Sequence, residues 1–152
     1  MKSWVDTVTA GDNVWLVLVF HGVDGVGWEP RTSADLGEYF AYLKSKEDSL
    51  WIATFQDVAR YMRERMHAAV RSYVGDDAIS VVLRDDLTDE RYDLPLTLQT
   101  RVPPDWTAVD ARQGRRAQRV RVVRDDGRSY VLYAAIPNGE DVQLTRAAPQ
   151  SR

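Results

Sequence analysis

Apolar residues change their spacing several times along this chain, and each change predicts an element. Trp4, Val5 and Val8 share one face of a helix over residues 2–10, which Gly11-Asp12-Asn13 ends. Seven consecutive apolar residues, Val14 to Phe20, then predict a strand buried on both faces, as in a parallel sheet. The run stops at His21 and a glycine-rich loop over residues 21–31 that carries Asp24 and Trp28. Thr32 and Asp35 stand at capping-box spacing ahead of Leu36, Tyr39, Phe40 and Leu43, which predicts a second helix. Gly37 weakens it by about 1 kcal/mol relative to alanine, so its packed face must hold it. A polar loop, 44–49, leads to a short apolar strand, 50–53. Thr54 and Asp57 repeat the capping spacing, and Val58, Tyr61, Met62, Met66 and Val70 form a helical stripe through residue 70. Trp51, Tyr61, Met62 and Met66 read as core.

Helix, strand, helix, strand, helix over residues 2–70 implies parallel strands joined by right-handed crossovers. Two strands are too few for a sheet that stands alone, so this part reads as a piece of a larger one. At Gly75-Asp76-Asp77 the period falls to two. Ile79, Val81 and Leu83 alternate with polar or small residues, as do Leu94, Leu96 and Leu98, and Val120 with Val122. Residues 130–133 and 142–144 complete the set, with turns at Asp125-Asp126-Gly127 and Pro137-Asn138-Gly139. Five or six short strands predict a small antiparallel β-sandwich. The expected architecture is α/β followed by all-β, with domains at 1–74 and 75–152.

Composition narrows the chemistry. At 152 residues, 44% apolar and 28% charged, the chain is of ordinary globular make-up. It has no cysteine, which removes disulfides, thiolate nucleophiles and thiolate metal sites. A net charge of −3 gives no general pull toward nucleic acid. No apolar run reaches the length of a membrane span, and the N-terminus lacks the apolar core of a signal peptide. An exported parent would need a leader, and the compartment stays unassigned. Only two histidines are present, His21 and His67, against the three protein ligands a catalytic zinc normally takes. No metal site is expected in this chain.

His21, just past the end of an apolar strand, sits where α/β folds place ligands. It either takes part in chemistry or simply hydrogen-bonds a neighbouring backbone group. Trp28, in the same loop as Asp24, either stacks on a sugar face or folds down over the strand end. His67 reads as a solvated surface histidine beside Arg60, Arg63 and Arg65. Arg112, Arg115, Arg116, Arg119, Arg121, Arg124 and Arg128 form the strongest charge cluster. Alternation with Val120 and Val122 puts Arg119 and Arg121 on the outer face of a strand, where charge protects an edge from pairing. Nucleic-acid or acidic-glycan binding is the competing use, and the lack of interleaved aromatics argues against base stacking.

The stretches WLVLVFHGVDGVGWEP and LWIATFQDVARYMRER resemble the carboxyl-terminal part of polysaccharide deacetylases over residues 4–67. Members of that family are metal-dependent carbohydrate esterases on a distorted (β/α) barrel. The resemblance implies a partial deacetylase-type barrel, with His21 of Val19-Phe20-His21 as general acid and Asp24 and Trp28 against the substrate. It implies a carbohydrate partner and a divalent metal, zinc, in a complete parent. The family's Asp-Asp and His-x-x-x-His motifs do not occur here: Asp85-Asp86 falls in the β part without the family's flanking residues, and Asp76-Asp77 falls in the linker between the two parts. The chain is therefore expected to be inactive alone and to engage the remaining barrel or copies of itself. A non-catalytic carbohydrate-binding or interaction protein is the alternative. No nucleic acid and no membrane partner is expected.

Overall fold

A computed structural model describes residues 1–148. Its first unit, Met1–Phe55, begins with helix α1 (Lys2–Thr9), which buries Val5. Strands β1 (Gly22–Val23) and β2 (Val26–Gly27) form a two-stranded antiparallel hairpin. Asp24 and Gly25, at φ 51° and 83°, make its turn, the left-handed pair that a two-residue hairpin requires. Helix α2 (Ser33–Lys44) starts as its spacing predicts, with the Thr32 hydroxyl accepting from Asp35 N at 3.0 Å. It buries Leu36 and Tyr39. Lys2 pairs with Glu38 at 2.8 Å, and the Tyr42 hydroxyl donates to Asp6, so two polar links join α1 to α2.

The second unit, from Gln56 onward, holds most of helix α3 (Phe55–His67) and two antiparallel sheets. The five-stranded sheet runs in the order β3 (Ala69–Val74), β4 (Ala78–Arg84), β10 (Val142–Arg146), β6 (Ala108–Gln113), β7 (Arg116–Arg121). The three-stranded sheet is β5 (Leu96–Arg101), β9 (Arg128–Ala135), β8 (Val123–Asp125). Strict alternation along β4, β5, β9 and β10 sends one set of side chains into a shared core. There Val81, Val109, Val131 and Leu144 are fully enclosed, and Trp106 and Tyr133 complete the packing.

Several expectations are corrected here. The partial (β/α) barrel is absent: among the described residues every pair of named strands is antiparallel, parallel pairing is limited to an isolated bridge of Val23 with Arg31, and no sheet closes, so the fold is open sheets with a few helices. Residues 14–20 are not a strand buried on both faces. They form no ladder, and Val14, Trp15, Val17 and Val19 are exposed, Val19 by 70%. Residues 50–53 carry no strand either. An apolar run becomes a strand only where a second backbone supplies hydrogen bonds. The third helix ends at His67 rather than residue 70, because Ala69 to Val74 pair with β4 along their whole length. Trp51, Met62 and Met66, read as core, are exposed, Met66 by 78%. The face that α3 buries carries Glu64 instead, and Tyr61 packs against the β core as expected.

Candidate functional site

The three residues singled out by the sequence lie close together around the β1–β2 hairpin. The His21 ring meets Trp28 edge-to-face, with centroids 5.1 Å apart and planes at 69°. Trp28 is 66% exposed, so it is not folded over the end of a strand and one apolar ring surface remains available. Asp24 serves locally: its Oδ1 accepts from Ser33 N at 2.7 Å, tying the hairpin turn to the start of α2. Gly22 and Gly27 make the hairpin this narrow. A Cβ on Gly22 would stand 1.8 Å from the Val26 carbonyl oxygen, and one on Gly27 2.2 Å from that of His21. Two exposed aromatic edges and a left-handed turn form a shallow, open surface, suited to contact with a sugar ring more than to enclosing a reacting bond.

A second set of polar groups lies on α3 and in the loops that follow β4 and β9. Glu64 is wholly buried, with Oε1 accepting from Leu94 N at 3.3 Å and Oε2 without a partner. Burial holds its carboxyl above the ordinary range. The Leu94 amide and Arg60 pull the other way, while Asp85 and Asp93 add to the rise. Asp85 and Asn138 bond reciprocally at 3.0 Å, backbone amide to side-chain oxygen and side-chain amide to carboxylate, and Asn138 also donates to Asp89 at 2.8 Å. The pair closes the β4–β5 loop onto the turn before β10. His67 is exposed, as the surface reading expected, and it also bonds Asp86 at 2.7 Å, which keeps the Asp86 carboxyl below its usual range. None of these carboxylates converges into a group of three or more that could hold a metal ion among the described residues.

The third feature is an open hollow of about 540 Å³ over strands β10, β6 and β7. It is lined by Arg112, Gln143 and Thr145, by small Ala117, and by Asp110 gripped in two places by Arg119, at 2.7 and 2.8 Å. That grip holds the Asp110 carboxyl below its usual range. Of this group the sequence singled out the arginines, and it placed Arg119 on an outer face. It did not bring out Arg112 with Gln143 and Thr145, which only strand order assembles.

Over 151 residues, 94% of this chain, the sequence is 31% identical to a gellan lyase of a Bacillus species. The chain spans 6% of that protein's length. No protein-family profile matches the sequence, and no solved structure matches it. The similarity overturns the resemblance to polysaccharide deacetylases, because the relative that matches almost the whole chain is named a lyase and the deacetylase resemblance covered residues 4–67 alone. The esterase function and the hydrolase class inferred from that resemblance are withdrawn with it. The general-acid role of His21 had no other support. Among the described residues no helix is long and apolar enough to cross a membrane.

Proposed function

We propose that this chain is a polysaccharide-binding region of a polysaccharide lyase-type protein. The observation that carries this reading is the similarity to a gellan lyase, which runs through both units at 31% identity. Two exposed surfaces suit it: the Trp28 ring beside His21, and the polar hollow over β10, β6 and β7. Pyranose rings present C–H faces that pack on aromatic rings and hydroxyls that pair with amides and charged groups. Both kinds of partner are on offer here.

Affinity electrophoresis through gels containing gellan, and calorimetric titration with the same polymer, test this directly. Binding is expected, and Trp28→Ala is expected to weaken it. A lyase cleaves by β-elimination, which leaves a carbon–carbon double bond that absorbs ultraviolet light. Release of such unsaturated ends by this chain alone would replace the binding reading with a catalytic one. No retardation by any polysaccharide would end it.

A further inference from the structure

The outer face of the five-stranded sheet is strongly cationic in a chain whose net charge is −3. Burial and register place Arg71 of β3, Arg84 of β4, Arg112 of β6 and Arg119 and Arg121 of β7 on that one face, opposite the core-facing Ile79, Leu144 and Val109. Two of them are neutralised: Arg119 by Asp110, and Arg84 by Asp141 at 2.9 Å. The side chains of Arg71, Arg112 and Arg121 make no hydrogen bond or ion pair with a described residue.

Edge protection accounts for arginine on β3 and β7, the two outer strands. It does not account for Arg112. That residue lies on β6, an interior strand with β10 on one side and β7 on the other. Its cross-strand neighbours are Gln143 and Ala117, so neither offers it a carboxylate, and the small Ala117 leaves room above the sheet. The same register continues outward through Gln143 to Ser80 and then Tyr73, whose ring is 57% exposed. Gln143 donates to Ser80 Oγ at 3.0 Å, which leaves its carbonyl oxygen to accept from a ligand hydroxyl. Aromatic ring, hydroxyl, amide and guanidinium thus follow one another across neighbouring strands at steps of about 4.8 Å.

We propose that this sheet face binds the carboxylates of an acidic, uronate-bearing polysaccharide, with Arg112 as the carboxylate ligand and Tyr73 as a platform for a sugar ring. The inference rests on the polysaccharide-binding reading above and names the class of polymer. A guanidinium matches a carboxylate through two parallel hydrogen bonds, and the unpaired Arg71 and Arg121 add a field that favours an anionic chain. Nucleic acid fits less well. Asp110 and Asp141 lie on the face, and Tyr73 is the one aromatic ring that its register includes.

The test uses the full chain with polygalacturonate, the same polymer after reduction of its carboxylates, and duplex DNA. Tight, salt-sensitive binding to polygalacturonate is expected, with the reduced polymer and the DNA each bound at least about tenfold more weakly. Arg112→Ala is expected to cost about tenfold on polygalacturonate and almost nothing on the reduced polymer. Ala117→Glu supplies Arg112 with a carboxylate from within the sheet and is expected to match that loss. Both positions are exposed, and unchanged circular dichroism verifies the fold. Equal binding of the acidic and reduced polymers, or indifference to both substitutions, would overturn this proposal and leave polysaccharide binding standing. Preference for DNA would overturn it in favour of a phosphate ligand. Failure to bind any polysaccharide would remove the broader reading as well.

Discussion

Glu64 shows how one residue can run against its neighbourhood. A carboxyl enclosed on a helix face, with one oxygen bonded to an amide and the other unpartnered, is held above its ordinary range by burial. The folded chain therefore holds this proton more tightly than the unfolded chain does. The stability it contributes is complete below the unfolded carboxylate value of about 4.5 and is lost as pH rises through the raised folded value. Glu64→Gln keeps an acceptor for Leu94 N and never ionises. It is expected to raise the melting temperature at neutral pH by a few degrees and to flatten the decline between acid and neutral pH. A melting temperature that falls at neutral pH in this variant would show that the charged form is the one the fold stabilises. Hydrophobic spacing alone did not reveal Glu64, because the apolar stripe drew Met62 and Met66 into the expected core, whereas the face the helix buries carries Tyr61 and, one turn on, Glu64.

At the scale of elements, two glutamines do work usually left to strands. Gln113 on β6 donates from Nε2 to the Ile136 carbonyl at 2.8 Å and accepts from Ile136 N at 2.9 Å. Gln118 on β7 treats Ala134 in the same way, at 2.7 and 3.0 Å. Each side-chain amide imitates one rung of a ladder and ties the five-stranded sheet to β9 of the other sheet. Gln113 adds a bond to the Glu140 carbonyl at 3.0 Å. Gln113→Leu removes these partners at nearly constant volume and is expected to cost about 1–3 kcal/mol in urea denaturation. A loss well below about 0.5 kcal/mol would mean that water replaces the bridge. The boundary between α3 and β3 belongs to this scale too. Val70 fits a helical stripe and a strand equally well, and the ladder with β4 decides for the strand.

At the scale of the whole molecule, each unit presents a different balance of pattern and pairing. In the first, residues 14–20 pair in no ladder and leave Val14, Trp15, Val17 and Val19 exposed. Unpaired apolar backbone of that length is a template for association. Self-association of the isolated chain is expected in sedimentation velocity, and Val17→Lys with Val19→Lys is expected to shift it toward monomer. A wild-type chain that sediments as a monomer at all accessible concentrations would show that this segment is not adhesive.

The sequence by itself determined whatever depends on neighbours within a few residues. It settled the Thr32 cap of α2, the Asp24-Gly25 region as a turn, and the alternation that makes Ile79, Val81 and Leu83 face a core. These follow from local hydrogen bonds and side-chain period, which a linear reading contains. The tertiary structure alone decided whether an apolar run finds a partner. It left Val14–Phe20 unpaired, moved Val70 from helix to strand, and set Arg112 beside Gln143 although 31 positions separate them in the chain. The physical reason is that a ladder is a contract between two distant backbones, and strand order is written in neither of them singly. His21 and Trp28, seven residues apart, were legible as near neighbours. The cationic sheet face was not, because it exists only once five strands have taken their places.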